Sequence, residues 1–166
     1  MGAAANQELN SQTDKNDFPL PNSNLAALIQ ETMERGRFFR FRSLGTSMSP
    51  FIRDGDQITI TSLSNRNPRM GDVIVFLTPE NEDLLVHRVI GKEGSKWLAK
   101  GDNTGDRDDG LIPIDRILGR VINVNHNGKN LLMGLGPERF LISLLSRYRL
   151  LRPLFSLIKY LIPHCQ

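Results

Sequence analysis

The period of the apolar positions changes twice along this 166-residue chain. Residues 1–24 carry Asn, Gln, Ser, Asp and Pro in quick succession and show no repeating apolar face, which predicts a flexible arm. Leu25, Leu28, Ile29 and Met33 then recur at helical spacing, with Ser23 or Asn24 placed to cap and Gly36 placed to stop. The pattern predicts a docking helix over residues 25–36.

From residue 37 the period shortens to two. Phe39 and Phe41 alternate with Arg40 and Arg42, and Asp56 to Thr61 alternates in the same way. Val73 to Leu77 is a continuous apolar run after Gly71-Asp72, as expected of a strand covered on both faces. Leu84 to Ile90 and Trp97 to Lys100 read as a hairpin turning at Glu93-Gly94-Ser95. Ile117 to Val124 follows, and Asn127-Gly128 is a two-residue hairpin signal into Leu131-Leu132-Met133. Many short strands with few helices predict a mostly-β fold, a coiled sheet or barrel over residues 37–135.

After Gly136-Pro137 the helical period returns. Phe140, Leu141, Leu144, Leu145, Tyr148 and Leu151 share one face, and Arg139, Ser143, Ser146 and Arg147 share another. Pro153 is expected to break this helix and leave a second short one from Leu154 to Ile162. Basic residues interrupt each apolar stretch well short of the roughly 20 residues that a membrane-spanning helix needs. Residues 136–166 are therefore expected to form a basic, amphipathic helical tail.

Charge sharpens this division. The chain carries a net +3, and from Arg139 onward it has five cations (Arg139, Arg147, Arg149, Arg152, Lys159) and no acid, so the remainder carries −2. The excess positive charge belongs to the tail. Its apolar content fits an anionic membrane surface, reached through residues 139–166, better than a nucleic acid. The alternative is a plain cap over the open edge of the sheet. Met1-Gly2-Ala3 opens neither a secretory signal nor, with Asn6 in place of Ser or Thr, a myristoylation motif. A cytoplasmic or peripheral-membrane location is expected. Cys165, the single cysteine, cannot form an internal disulfide.

The candidate chemistry sits in the β region. Gly45-Thr46-Ser47-Met48-Ser49-Pro50 places a serine on a tight turn, where the glycine permits an unusual backbone and the Ser47 N–H is left to face an oxyanion. His87 lies in a strand whose alternation puts Leu85, His87 and Val89 on one face and Val86, Arg88 and Ile90 on the other. An imidazole there is either a hydrogen-bonded core group or a base for the serine hydroxyl. Asp102, Asp106, Asp108 and Asp109 cluster in a Gly- and Asn-rich loop. A calcium loop would need acids at alternate positions and a bidentate Glu, yet Thr104 and Pro113 stand at those places. No metal or cofactor is expected, and a carboxylate that holds a histidine tautomer is the better use for one of them.

In order and approximate spacing, Gly45-Thr46-Ser47-Met48-Ser49-Pro50, Arg53-Asp54-Gly55-Asp56, Gly71-Asp72-Val73-Ile74-Val75, Val86-His87-Arg88-Val89-Ile90 and Lys100-Gly101-Asp102-Asn103 resemble the boxes of type I signal peptidases. The wider group includes the SOS-repressor-type autoproteases, which are similar in fold and serine box but use a lysine base. With His87 at the lysine position, the chain resembles the endoplasmic-reticulum and archaeal branch. The resemblance covers about residues 38 to 125 and implies a serine endopeptidase with Ser47 as nucleophile and His87 as general base. It makes Asp108 the first match for the orienting acid and Asp102 the second. It also implies a leader-type peptide substrate with small residues beside the scissile bond. Two departures accompany it: there is no apolar anchor just before the serine box, and Gly45 stands where some bacterial relatives carry a serine. An autoprotease that cuts its own N-terminal arm and a non-catalytic binding module on the same fold remain the alternatives.

Overall fold

The computed structural model describes residues 22–63, 67–105, 108–131, 134–151, 153–154 and 156–157. Eight strands form one antiparallel sheet, preceded by one helix and followed by another. In chain order the elements are α1 (Asn22–Glu34), β1 (Phe39–Arg42), β2 (Gln57–Thr61), β3 (Val73–Leu77), β4 (Leu84–Glu93), β5 (Lys96–Lys100), β6 (Leu111–Ile112), β7 (Ile117–His126), β8 (Lys129–Leu131) and α2 (Arg139–Arg147). The sheet runs β1-β2-β7-β3-β4-β5-β6, and β8 pairs with β7. The mostly-β expectation holds.

Three register shifts bend the sheet, at Thr59/Ile60, Val75/Phe76 and Val89/Gly91. Each inserts an unpaired residue and increases the local twist. The curved sheet separates two apolar clusters. Ile58, Ile60, Val73, Val75, Val121 and Val124 pack on Ile29 and Met33 of α1 and on Met48 and Ile52 of the β1–β2 connection. The other faces of β3 and β4 supply Ile74, Phe76 and Val89, which pack with Trp97, Ala99, Ile112 and Ile117. Full burial of each such side chain stabilises by about 1.5–3 kcal/mol. Val73 to Phe76 is buried throughout, as a run without alternation predicts.

Several boundaries differ from expectation. Helix α1 begins at Asn22, so Ser23 and Asn24 lie inside it rather than capping it. Both residue types are tolerated in a first turn, and packing of Ala26, Ile29 and Met33 fixes the helix in place. The arm up to residue 21 lies outside the described residues. Short β6 and a 3₁₀ turn at Ile114–Arg116 were not expected, because two paired residues carry no periodicity to detect. The Asn127-Gly128 hairpin is present, with both residues at positive φ (48° and 82°). Its second strand is Lys129–Leu131, and residues 132 and 133 are not described.

The helical tail breaks at Tyr148-Arg149, where Arg149 has φ 61°, and not at Pro153. Leu151, Pro153, Leu154, Ser156 and Leu157 are helical again. Pro153 thus stands in the opening turn of the new segment, where a missing N–H costs no hydrogen bond. The end of the expected segment, residues 158–162, lies outside the described residues.

Candidate active site

The serine turn is built to hold one hydroxyl in a fixed place. Gly45 adopts φ 88°, a backbone region that side chains resist, and its N–H donates to Asp54 Oδ1 at 2.7 Å. Ser49 N–H donates to Thr46 O at 3.1 Å, and Phe51 and Ile52 N–H both donate to Met48 O at 3.1 Å. Met48, Phe51 and Ile52 are buried and plug the turn into the fold from below. Asn103 fastens it from the side. Its backbone N–H donates to Ser47 O at 2.7 Å and its side-chain amide donates to Thr46 O at 3.3 Å. Among the described residues, the Ser47 N–H donates to no group of the protein.

Strand β4 carries the candidate base. His87 sits opposite Ile74 in the register, only 5 % exposed, with its ring 6.3 Å from that of Phe76. Its Nε2 lies 2.9 Å from Ser47 Oγ, and its Nδ1 lies 2.5 Å from Asp109 Oδ2. A carboxylate only accepts, so Nδ1 carries the proton and Nε2 presents its lone pair to the serine O–H. Asp109 is placed by its own backbone, whose N–H donates to Ala99 O at 3.0 Å just before β6. Gly101 allows the whole arrangement to close. A methyl group there would stand 2.8 Å from Ser47 O and 3.0 Å from His87 Nε2.

Four residues were expected here, and the structure brings two of them together. Ser47 and His87 meet; Asp108 and Asp102 do not meet the imidazole. The carboxylate that meets the imidazole is that of Asp109. Asp108 is exposed, and its Oδ1 accepts the N–H of Gly110 at 3.1 Å. Asp102 is buried behind the strand, bound to the guanidinium of Arg88 through Nε (2.8 Å to Oδ1) and Nη2 (2.7 Å to Oδ2). Burial pushes the Asp102 carboxyl up from its usual range, against the opposing pull of the Arg88 hydrogen bonds and charge. Arg88 Nη1 also donates to Gly71 O (2.9 Å) and Gly134 O (2.7 Å). This arginine therefore ties the loop that bears Asn103 to two other segments.

The remaining boxes have structural work. Asp56 Oδ2 accepts the Arg53 N–H at 2.8 Å, and its Oδ1 meets His126 Nδ1 at 2.5 Å. Asp72 accepts the Arg69 N–H at 2.9 Å and faces Arg139 at 3.2 Å. Among the described residues, no three His, Cys, Asp or Glu side chains converge as metal ligands.

A groove of about 290 Å³ opens beside Ser47. Leu25, Phe41, Leu44, Met48, Leu84 and Val86 line it. Strand β1 pairs only with β2, and β5 pairs with β4 only from Arg88 onward, so neither the outer edge of β1 nor Leu84–Val86 on that side has a strand partner among the described residues.

The model of the Peptidase S24-like family matches residues 1–122, a span that holds the serine turn, His87 and Asp109. The chain belongs to this family. The match supports a serine peptidase, with a protein or peptide as its substrate, and the observed sheet is consistent with an S24-like fold. No helix among the described residues is long and apolar enough to cross a membrane.

Proposed function

We propose that the chain is a serine endopeptidase in which Ser47 is the nucleophile, His87 the general base and Asp109 the group that orients the base. The contact chain from Ser47 Oγ through His87 to Asp109 carries the proposal. In the first step Ser47 Oγ bonds to the scissile carbonyl carbon and its proton passes to His87 Nε2. The carbonyl oxygen gains negative charge and meets the Ser47 N–H, the donor left unused in the fold. His87 then returns the proton to the departing nitrogen as the C–N bond breaks, leaving an acyl-serine. Water, deprotonated by His87, releases the acid and restores the serine. Asp109 stays ionised and holds the imidazolium that forms in each half.

The substrate is read as an extended, leader-type peptide, with small residues at the scissile bond as the signal-peptidase resemblance implies. Two unpaired strand edges beside an apolar groove support an extended backbone, since a peptide added there gains main-chain hydrogen bonds. A second substrate is favoured by one specific observation: Leu25, three residues into α1, lines the same groove. The first turn of α1 thereby lies beside the groove, as self-cleavage upstream of it requires.

Labelling of the purified protein by a serine-acylating probe tests the chemistry. Wild type is expected to form a covalent adduct at Ser47, and Ser47→Ala and His87→Ala to form none, with turnover of any peptide substrate reduced by about five to six orders of magnitude. A well-folded wild type that is never acylated would overturn the proposal in favour of a binding module. Intact mass on storage separates the substrates. Loss of an N-terminal piece, absent in Ser47→Ala and independent of protein concentration, selects the arm.

A further inference from the structure

Helix α2 buries two serines beside Ile142 and leaves several large apolar side chains exposed. Its buried residues are Ile142, Ser143 and Ser146, whereas the exposed ones include Phe140 (57 %), Leu141 (58 %), Leu144 (37 %) and Tyr148 (64 %). Polar contacts hold the inner side to the sheet. Ser143 Oγ donates to Val89 O at 2.8 Å, Arg147 Nη1 to Ile90 O at 3.1 Å and Lys100 Nζ to Ser146 O at 3.4 Å. Arg139 pairs with the buried Asp72 at 3.2 Å. A helix that merely capped the sheet would turn its leucines inward. This one turns Ile142 and part of Leu145 onto Phe51 and Leu151, is fastened as well by Ser143, Arg147 and Arg139, and keeps Phe140, Leu141 and Leu144 in water. Beyond the break, Leu150, Leu154 and Leu157 are exposed too.

We propose that this stripe is the attachment surface for an anionic lipid bilayer, into whose interface Phe140, Leu141, Leu144 and Tyr148 insert. Charge decides between a bilayer and the other apolar partners. From Arg139 onward the chain has five cations and no acid, so the stripe lies within a wholly basic segment, as in helices that lie in an anionic interface. The segment also lies beyond the family match, which ends at residue 122. The attachment is accordingly assigned to this chain's own sequence and does not depend on the peptidase chemistry.

Flotation of the full chain with vesicles tests it. Binding is expected to vesicles of phosphatidylserine and phosphatidylcholine in equal parts, to weaken as salt is raised, and to be lost on phosphatidylcholine alone. The double variant Phe140→Ser/Leu144→Ser, altered only at exposed positions, should keep its melting temperature and lose affinity by about tenfold or more. Wild type that does not float with the anionic vesicles would overturn the proposal. So would a double variant that binds as wild type does, or a stripe that instead mediates dimerisation abolished by the same substitutions.

Discussion

His87 and Arg88 are neighbours in one strand and face opposite ways, and each meets an aspartate from the single loop that follows β5. On one face the partner is Asp109, at the border of water, with 16 % of its side chain exposed. On the other it is Asp102, and that pair has no exposure at all. The two pairs are made of similar groups but do different work. In the proposed mechanism the imidazole relays a proton, and its carboxylate orients it. The guanidinium has donors and no acceptor, and its carboxylate anchors it. A short strand thus separates the pair proposed to react from a structural one by the alternation of its two faces.

Exchanging the candidate acids breaks this division most sharply. Asp109→Asn is expected to lower the acylation rate by about 10⁴-fold with little change in melting temperature, because the amide permits the wrong imidazole tautomer. Asp108→Asn should acylate at close to the wild-type rate, since its side chain only closes a turn onto Gly110. Stopped-flow measurement of probe labelling compares the two. Equal losses would mean that the loop's net charge, and not one contact, serves His87.

Much of this was legible in the residues. Strand alternation put His87 and Arg88 on opposite faces, and the serine turn announced itself through Gly45 and Pro50. The aspartate that meets His87 is neither of the two expected, although two signals bore on it. An arginine between Val86 and Ile90 on an apolar face has to find a buried acid, which consumes Asp102. An aspartate two residues before a glycine commonly caps its own turn, which consumes Asp108. What periodicity cannot supply is the curvature that brings Ala99 under Asp109, or Asn103 under Ser47; these arise from bulges that pairing alone reveals. Nor can it give the side a helix presents. Of the face expected to be apolar, Phe140, Leu141, Leu144 and Tyr148 are exposed while Leu145 and Leu151 pack inward, and the contacts of Ser143 and Arg147 show which way the helix points.

Breaking the structural pair gives the next largest effect. Arg88→Ala leaves a buried carboxylate without its cation and should lower unfolding free energy by about 3–5 kcal/mol, read from urea denaturation. Because burial already pushes the Asp102 carboxyl up, removing both charges is expected to recover most of that loss. Arg88→Met/Asp102→Leu is the variant that shows it. A single Arg88→Ala change without measurable cost would mean that the anchor is dispensable and that the two faces differ less than their burial suggests.

The smallest effect lies at the far end of the same network. Gly134, whose carbonyl accepts from Arg88, donates its N–H to Glu138 Oε1 at 2.7 Å, and Gly136 donates to the same oxygen at 3.0 Å. Hydrogen bonds from the Glu138, Gly134 and Gly136 backbone hold this carboxyl below its usual range, opposed by partial desolvation and helped by the Arg88 charge. A depressed carboxylate contributes stability that is complete above the ordinary glutamate value and fades as the pH falls through the folded-state value. Thermal melts taken downward through the carboxylate range should therefore show a loss in wild type that Glu138→Gln lacks. Catalysis at neutral pH should be the same in both, because nothing on the His87 face touches Glu138. A change in acylation rate on this substitution would show that the anchoring face reaches through β4 to the serine.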